Sequence, residues 1–560
     1  MKRSVPVGEV RRLGDRALLI GSADPVSGRA LARALEVALA GSGQVEVVCG
    51  FATVAVLVPD VDAELEAVRA VAQQVVAARA AHGEGGGEPP GRFLTIPCTF
   101  DGPDLPEVAA VVGLDPGAVV AQLTERPLTA AVVGFSPGFA YLDGLPEALA
   151  GVPRRARPRP RVPAGSVALA NGHAAVYPTG SPGGWQLVGR TDATLLSPDR
   201  PPYAVLAPGD RVQLTVADTG LEGEREPSAV PAWAPPTGAR AAFEVVAPGL
   251  RAVVQDGGRR GVAAIGVPAA GPADPVSFTL ANRLVGNAPS SGTLELTGGG
   301  TRLRCRGRCH VAVVGAAPEL RVDGAAVPSA QVLPLEPGQV LEVGPLRRGC
   351  RTYVAVAGGI LGPEVFGSSA SDELCGLGAG PLNAGQLLSA GPWAPPLGDH
   401  LGPGAASEVE AGAVVELRVV PGPHPEWFEP GSFERLVDAV FDVEGDSNRV
   451  GIRLRVSGGA AVAPRSRPGD ELDSQGVVTG AVQVPPGGDP VILMPDHATL
   501  GGYPVLAVVA SVDHGLLGQC APGTRVRLVP FAHHEADAAW RAGRRALATA
   551  VVGHYPLAAG

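Results

Sequence analysis

The sequence predicts a mainly β protein that begins with a small α+β domain. Glycine and proline are unusually frequent, at 78 and 56 of 560 residues, and they separate short runs of Val, Leu and Ala. Many short strands joined by tight turns have this pattern. The start of the chain differs, because apolar residues recur at helical spacing over 25–40 and 62–81, between short apolar runs. That order fits a split β-α-β arrangement.

Gly- and Pro-rich stretches divide the rest of the chain. The run GEGGGEPPG at 83–91 is typical of a linker, and a helical stretch at about 105–123 interrupts the first strand-rich block. Asp274-Pro275 predicts a helix start and Gly286 its end. The predicted units are the split domain at 1–88, strand-rich blocks at 89–222, 242–395 and 413–531, a linker at 223–241 and a helical tail at 532–560.

Two stretches resemble distant copies of each other, one at 162–191 and one at 477–509. Each has a small-residue turn, a strand, a Gly-Gly-aromatic element and, further on, a closing strand after Pro-Gly. Shared turn chemistry alone would produce part of this similarity. We interpret it as a duplicated β module.

Composition excludes several classes of protein. The net charge of −10 and pI near 5.6 disfavour a nucleic-acid binder. No signal-peptide pattern and no run of roughly 20 apolar residues is present, so we expect a soluble, cytoplasmic protein without a membrane span. The seven cysteines are scattered and odd in number, which fits a reducing compartment. Cys305, Cys309 and His310 have no second ligand pair at zinc spacing, so we interpret these cysteines as buried thiols in paired strands and predict no metal site.

Lys2 is the single lysine of the chain. A Walker A loop, a Schiff-base enzyme and a biotin carrier each need a lysine within the folded domain. The chain therefore carries no covalent biotin, and any phosphate must be bound by arginine, backbone amides or a partner.

Two neighbouring motifs in the first half suit anions. Five arginines lie within 154–161, stiffened by prolines, and SPGGWQLVGRT follows at 181–191. Arginine forks bind phosphate or carboxylate, and glycines expose backbone amides to an anion. Before them, GFSPGFAYLDGLP at 134–146 is typical of an aromatic loop over a core, without the frame of a nucleophile elbow.

In the second half, polar residues lie between apolar strands, where they can converge at the mouth of a barrel. They occur in VVQDGGRRG at 253–261, around 444–454, and from 474 to 504. His497 beside Asp496 is either a base or an ordinary surface histidine. No catalytic triad order is evident.

These motifs together resemble a known family. GFSPGFAYLDGLP, the arginine run, VPAGSV and SPGGWQLVGRT are similar to the B-type component of 5-oxoprolinase and to Kip-type inhibitors, and VVQDGGRRGVAAIGVPAAGPADPVSFTLANRLVGN, AVAGGI and VVTGAVQVPPGGDPVILMPDHATLGGYP to the companion C-type component. Both halves also form the carboxyltransferase region of urea carboxylase and urea amidolyase. The chain departs at Gln475, where relatives often have Glu, and at 498–502, where they often have Gln-Thr-Thr-Gly-Gly.

The resemblance implies a cyclophilin-like barrel at 89–222, two further barrels in the second half, and a site where the halves meet. It implies ATP-dependent opening of 5-oxo-L-proline to glutamate, with Mg²⁺ and a separate A-type (LamB/YcsF-like) subunit. One alternative is the carboxyltransferase module of a biotin-dependent, urea-carboxylase-like enzyme. Another is a Kip-type regulator of a sensor histidine kinase. Self-association into a homo-oligomer is left open.

The site residues follow from the resemblance and the motifs. We assign nucleotide binding to Arg159, Arg161, Gly183, Gly184, Gln186 and Arg190. We assign catalysis to Asp256, Arg449 and Asp496. We assign contacts with the small-molecule substrate to Arg259, Asn448, Gln483 and Thr499.

Overall fold

A computed structural model describes most of the chain. The described residues are 5–59, 64–82, 91–198, 200–217, 233, 236–316, 318–393, 395–402, 404–407, 409, 412–457 and 472–553. Lys2 and most of the two predicted linkers, at 83–91 and 223–241, lie outside these residues.

The N-terminal domain is a four-stranded antiparallel sheet covered by two helices. Its elements are β1 Val10–Arg12, β2 Ala17–Gly21, α1 Pro25–Leu39, β3 Glu46–Cys49, β4 Thr53–Leu57 and α2 Leu65–His82. The strand order β1-β2-β4-β3 places β4 between the two strands that α1 connects. Helix α1 begins where the Asp24 side chain accepts a hydrogen bond from the Ser27 N–H at 2.7 Å. Leu31, Leu35 and Leu39 bury its inner face.

The next unit, called barrel 1, is a nearly closed seven-stranded sheet. Its elements are β5 Phe93–Cys98, α3 Leu105–Val112, α4 Pro116–Glu125, β6 Leu128–Val133, β7 Ala140–Asp143, α5 Glu147–Ala150, β8 Arg159–Val162, β9 Ser166–Ala170, β10 His173–Val176, β11 Ser181–Gly183, β12 Gln186–Arg190 and β13 Arg211–Val216. The order is β12-β9-β10-β7-β6-β13-β5, and Thr99 and Arg190 exchange two 2.8 Å backbone hydrogen bonds that join its edges. The predicted helix at 105–123 is two helices, because Gly113 adopts φ +70° and Pro116 starts a new one.

The second half begins with two facing sheets, called the sandwich. Its elements are β14 Arg240–Pro248, β15 Arg251–Gln255, α6 Pro275–Leu284, β16 Thr293–Thr297, β17 Thr301–Cys305, β18 Cys309–Gly315, β19 Pro318–Val322, β20 Ala325–Val327, β21 Val332–Leu335, β22 Val340–Leu346, β23 Arg351–Val356, β24 Ile360–Leu361 and β25 Leu387–Ala390, and β26 His400–Leu401 follows. The sheets have seven and five strands, ordered β20-β19-β22-β17-β14-β25-β24 and β15-β16-β23-β18-β21. The resemblance implied a barrel for this block; the structure has two separate sheets instead.

Two local predictions in this block have opposite outcomes. The start of α6 is confirmed: Asp274 accepts hydrogen bonds from the Val276 and Ser277 N–H groups, both at 3.0 Å, and Gly286 follows the helix with φ +78°. The expectation that the strands on either side of Gly307 pair with each other is wrong. Strands β17 and β18 belong to different sheets, so the turn is a corner of the sandwich.

The last large unit, called barrel 2, is a closed barrel. Its elements are β27 Val414–Pro421, α7 Ser432–Asp438, β28 Val440–Val443, β29 Gly451–Val456, β30 Gln475–Gly476, β31 Ala481–Gln483, β32 Val491–Leu493, β33 Leu500–Gly501, β34 Val505–Val509, α8 His514–Gly518 and β35 Arg525–Pro530. The order is β27-β34-β31-β32-β29-β28-β35, and β30 pairs with β33 as a separate ribbon.

The two barrels have the same topology. When the strands of each barrel are numbered from its first strand, β5–β13 correspond one to one with β27–β35. The separate ribbon of β8 with β11 corresponds to that of β30 with β33. In both barrels the first and last strands pair in parallel. This correspondence supports the duplication inferred from the sequence, and the mainly β fold class is confirmed.

The tail is helix α9, His533–Thr549, followed by β36, Val551–Val552, which pairs with β26. One apolar cluster is shared by the N-terminal domain, barrel 1 and barrel 2, and Leu13, Tyr141 and Leu500 belong to it. Within the described residues, no single helix has the length and apolar composition of a membrane span. The pair α3 and α4 reaches that composition together but bends by 87°.

Candidate functional site

A cleft of about 630 Å³ lies where the N-terminal domain, the sandwich, barrel 2 and α9 meet. Its walls come from 13–16 and 57–59, from the sandwich loop 257–273, from barrel 2 at 477–479 and 494–499, and from Trp540 and Arg544 of α9. Clefts of this size between domains are the usual place for small-molecule sites. The position agrees with the expectation that the site lies between the two halves.

Arg259 lines the cleft from the sandwich loop. It is 1% exposed, its Nε donates to Val365 O at 3.1 Å, and its Nη2 donates to Ala370 O at 2.6 Å. Its Nη1 is buried and has no hydrogen-bond partner among the described residues. Burial lowers the pKa of Arg259, while Asp372 and Asp256 oppose that shift. A buried donor without an acceptor is costly, so Arg259 is suited to receive an oxygen from a ligand.

Thr499 lies on the opposite, barrel 2 wall of the cleft. It is 6% exposed, and its Oγ1 also has no hydrogen-bond partner within the described part of the chain. His497, two residues earlier, lines the same wall. Its Nδ1 lies 2.7 Å from Ala498 O, which can only accept, so Nδ1 carries the hydrogen. Burial lowers the pKa of His497, which favours the neutral ring, and Nε2 then has a free lone pair that can accept a hydrogen bond.

Arg449 and Asp496 form a buried charge network beside the cleft. Two nitrogens of Arg449 donate to the Asp496 carboxylate, at 2.7 and 2.9 Å, and a third donates to Glu295 at 2.6 Å. Arg449 also donates to Gly271 O at 2.6 Å, in the loop that lines the cleft. Burial raises the pKa of Asp496 even though Arg449 opposes the shift. The network joins barrel 2 to the sandwich, and the side chains of Arg449 and Asp496 are both hydrogen-bonded to other residues of the protein.

Asp256, the third predicted catalytic residue, supports the sandwich loop. Its carboxylate accepts from Gly258 N at 2.9 Å, Ser368 Oγ at 2.5 Å and Ser369 N at 2.7 Å. These bonds hold the backbone on which Arg259 lies. Asp256 therefore positions Arg259 rather than facing a ligand with free oxygens.

Asp372 is a candidate that sequence reasoning missed. It is 5% exposed; its Oδ1 accepts from Cys375 N at 2.5 Å, and its Oδ2 has no partner among the described residues. Burial, and then the charge of Asp496, raise the pKa of Asp372 to about 7. A carboxyl group that is half protonated at neutral pH suits acid–base chemistry. Its sequence context, SSASDELCG, contains no signal beyond an acid in a small-residue loop.

The predicted substrate residues Asn448 and Gln483 do not line the cleft. Asn448 Oδ1 accepts from Val450 N at 2.8 Å and so stabilises a turn. Gln483 lies inside barrel 2 and donates to Tyr503 O at 3.4 Å. Of the four predicted substrate contacts, Arg259 and Thr499 come together at the cleft.

The six predicted nucleotide ligands lie in barrel 1, away from the cleft lining. Arg159 donates to Asp104 at 2.7 Å, and Arg190 pairs with Asp101 at 3.0 Å. Gln186 is 4% exposed and donates to Pro153 O at 3.4 Å. The remaining three members of the set are Gly183, which packs on the Tyr177 hydroxyl, Gly184, which packs on Pro158, and the exposed Arg161.

These six positions do not form a single site. Strands β8 and β11 bring Arg159 and Gly183 together, but Arg190 lies at the far end of β12, where it is joined to Thr99. Trp185, within the same motif, is buried in the core against Phe139 and Tyr141. The spacing in the sequence identified the arginines but not the aspartates that neutralise two of them.

The cleft lining is positively charged. Four arginines line it, against two carboxylates, Asp15 and Glu46. Asp15 accepts from the Ser511 hydroxyl at 2.9 Å, and Glu46 accepts from Ala263 N at 3.0 Å. Among the described residues, no group of three or more His, Cys, Asp or Glu side chains is arranged to hold a metal ion. Cys305 and Cys309 are buried, with their sulfurs 3.5 Å apart.

Comparisons with known proteins cover both halves of the chain. Residues 8–206 match the family described as carboxyltransferase domain, subdomain C and D, and residues 265–530 match subdomain A and B. The chain is 33% identical over 300 residues to the C-type component of the 5-oxoprolinase of Escherichia coli strain K12, covering 52% of this chain and 93% of that protein. It is 44% identical over 137 residues to the B-type component of the 5-oxoprolinase of Escherichia coli O157:H7, covering 24% of this chain and 62% of that protein.

Longer proteins and a solved structure are also similar. Urea amidolyase of Lachancea kluyveri is 32% identical over 320 residues, which cover 53% of this chain and 17% of that protein. The crystal structure of TTHA0988 superposes with a TM-score of 0.78 at 32% identity, over 92% of this chain and 99% of that one. These relatives do not support the kinase-regulator hypothesis. The chain belongs to the carboxyltransferase-domain family that includes the B-type and C-type components of 5-oxoprolinase and urea amidolyase, with its B-like and C-like halves joined in one polypeptide.

Proposed function

We propose that this chain is the fused B-type and C-type component of an ATP-dependent 5-oxoprolinase, which opens 5-oxo-L-proline to L-glutamate with a separate A-type subunit. Relatives that are B-type and C-type components of 5-oxoprolinase match the two halves in order along the chain. The 33% identity to the C-type relative extends over 93% of that protein. The proposal includes a partner protein, the A-type subunit, since the relatives are named as subunits of 5-oxoprolinase.

One observation carries the proposal. Arg259 and Thr499, from two different units, line the same cleft, and each has a buried polar atom with no partner among the described residues. Donors already fixed in place stabilise negative charge as it develops, because they need no reorganisation during the reaction. A lactam carbonyl is a poor electrophile, so its oxygen is the atom that most needs such stabilisation.

The chain also supplies acid–base groups near this point. When bound, ATP supplies the phosphoryl group that turns the lactam oxygen into a leaving group. The lactam N–H becomes acidic as its oxygen is modified, and we assign acceptance of that proton to Nε2 of His497, which lines the cleft. Asp372 does not line the cleft, but its pKa is raised to about 7 and its charge acts on Arg259; we assign to it the proton that the ring nitrogen takes up when the ring opens. Opening of the ring by water is assigned to the A-type partner.

The charge of the cleft fits a polyphosphate. Its four arginines outnumber two carboxylates that are already hydrogen-bonded. Because the described residues offer no group of three metal ligands, Mg²⁺ would enter together with the nucleotide phosphates rather than at a site of its own.

The test is glutamate formation from 5-oxo-L-proline by the purified chain, its A-type partner, ATP and Mg²⁺. We expect glutamate when all are present and none when either protein is omitted. Arg259→Gln should lower kcat about 100-fold, as removal of one oxyanion donor does. Arg453→Gln is the matched control, since its partner Asp446 is 65% exposed. No glutamate from two folded, correctly paired proteins rejects the proposed reaction.

A second candidate is the carboxyltransferase step of a biotin-dependent, urea-carboxylase-like enzyme. It is favoured by the 32% identity to urea amidolyase over 320 residues. Avidin separates the two functions, because it sequesters biotin. Glutamate formation unaffected by avidin supports the first function. ATP-dependent carboxylation of urea that avidin abolishes supports the second.

A further inference from the structure

The α9 end of the cleft has an aromatic side chain with two arginines near its ring. The guanidinium carbons of Arg16 and Arg544 lie 5.6 and 5.9 Å from the centre of the Trp540 ring. The indole nitrogen of Trp540 is buried and has no hydrogen-bond partner among the described residues. An indole N–H can only donate, so this atom lacks an acceptor.

Positive charge accumulates on the same helix. Arg541 and Arg545 are exposed, Arg544 is partly buried, and none of the three has a carboxylate partner within the described residues. They line an open depression of about 730 Å³ that shares Arg16 and Trp540 with the cleft. Three carboxylates, Glu64, Glu66 and Asp537, line the same depression, and Arg12 pairs with both Glu66 and Asp537.

This accumulation contrasts with the overall charge and with two arginines of barrel 1. The net charge is −10, and the arginines of the predicted anion motif in barrel 1 include Arg159 and Arg190, which pair with aspartates. At α9, Asp537 and Glu66 are instead paired with Arg12, so Arg541, Arg544 and Arg545 outnumber the one further carboxylate of the depression, Glu64. Unpaired arginine forks bind phosphate oxygens well, because two N–H groups meet two oxygens.

We propose that the α9 end of the cleft binds a purine nucleoside polyphosphate, with its base against Trp540 and its phosphates on Arg544 and the neighbouring arginines. Aromatic rings and guanidinium planes both stack on nucleobases. Inorganic phosphate would use the arginines but not the indole. The inference rests on the proposed function in so far as ATP is the phosphoryl donor. It assigns the nucleotide site to α9 instead of the predicted residues in barrel 1.

The location connects the nucleotide with the reacting end of the cleft. Trp540 and Arg544 line the same continuous space as Arg259 and Thr499. A nucleotide whose base lies at α9 therefore has a path for its phosphates towards the unpartnered donors of the sandwich and barrel 2.

The experiment measures binding of the fluorescent nucleotide mant-ADP to the full chain alone, with and without Mg²⁺. We expect Trp540→Ala and Arg544→Gln each to weaken binding at least tenfold. Trp540→Phe should retain most of the affinity and lose energy transfer from tryptophan to the mant group. The matched controls are Arg308→Gln, an exposed arginine paired with Glu336, and Trp393→Phe, an exposed tryptophan outside the cleft. Circular dichroism verifies that every variant is folded.

Several results would overturn the assignment. One is unchanged affinity in folded Trp540→Ala and Arg544→Gln proteins. Another is loss of binding in Arg161→Gln alone, which would return the nucleotide to barrel 1. Tripolyphosphate that competes as well as ADP would show a phosphate site without base recognition. Failure of mant-ADP to bind the folded chain, alone or with its partner, also rejects the site.

The binding experiment is independent of the reaction. A chain that binds mant-ADP through Trp540 but yields no glutamate upholds the nucleotide site and rejects the proposed reaction. A chain that supports glutamate formation while both variants keep full nucleotide affinity upholds the reaction and rejects the site.

Discussion

Replacing Arg449 by methionine should destabilise the junction between the sandwich and barrel 2. Arg449 donates three hydrogen bonds to Asp496 and Glu295, at 2.6 to 2.9 Å, and one to Gly271 O. Without it, Glu295 keeps Arg351 nearby and the Tyr353 hydroxyl at 2.7 Å. Removing one partner from a buried ion pair costs about 3–5 kcal/mol. We expect a loss of that size at pH 7.

The loss should shrink as the pH falls. In the variant, Asp496 keeps a 2.9 Å hydrogen bond from Glu373 N but loses the guanidinium that is bonded to its carboxylate. Burial already raises the pKa of Asp496 in the native protein, and loss of Arg449 raises it further. A carboxyl group whose pKa is higher in the folded than in the unfolded state binds its proton preferentially when folded, so acid favours folding. The free energy of unfolding of Arg449→Met should approach the native value between pH 7 and pH 5.

Urea denaturation followed by circular dichroism at both pH values measures this difference. Arg453→Met is the matched control, because Arg453 pairs with Asp446 at the surface and such pairs contribute about 1 kcal/mol or less. A deficit below about 1 kcal/mol for Arg449→Met, or one that is equal at both pH values, would refute the reasoning that this network is a structural junction. A folded, native-like variant with no activity would return Arg449 to its predicted catalytic role.

Three further perturbations test the fold. Asp104→Ala should lower the free energy of unfolding by about 3 kcal/mol, since two arginines and a backbone amide lose their buried acceptor. Asp101 is exposed, so Asp101→Ala should lower it by about 1 kcal/mol or less. Equal losses in urea titrations would contradict this. Gly476→Ala places a methyl group against Ala55 and should lower the free energy of unfolding by about 1–3 kcal/mol. The control is Gly445→Ala, whose methyl group would lie in open space. Equal melting temperatures for the two variants would refute this contact. Burial lowers the pKa of His424 from 6.5 to about 4, so stability should fall by about 3 kcal/mol as the pH drops through that interval, and a flat profile would be the contrary result.

Local signals in the sequence were sufficient where a structural element depends on neighbouring residues. The start of α6 follows from the Asp274 side chain and its own two following amides, and the structure has those bonds. The duplication was detectable because the stretches 162–191 and 477–509 share a small-residue turn and a Gly-Gly-aromatic element, whereas the nine-strand correspondence is a finding of the structure. The predicted single helix at 105–123 is two helices for a local reason as well, since Gly113 adopts φ +70° and Pro116 starts a new helix.

The site could be predicted only in part, because charge pairing depends on residues distant in sequence. Asp104 neutralises Arg159 from 55 positions away, and Glu295 meets Arg449 from 154 positions away. Residue type identified polar side chains that lie near the junction of the halves. It could not separate side chains whose polar atoms are all hydrogen-bonded within the protein from side chains with a polar atom that has no hydrogen-bond partner. Asp372 carries no sequence signal, since its raised pKa arises from burial and from Asp496.

The parallel pairing of first and last strands affects how these barrels can be connected. In barrel 2, Val414 lies beside Arg525 and Val419 beside Pro530, so the chain enters at one end of the barrel and leaves at the other. Each barrel is thus an in-line module, and further domains can be attached at either end without the chain turning back. Circular permutation is correspondingly demanding, because a peptide joining the old termini must span six residues of strand, roughly 20 Å.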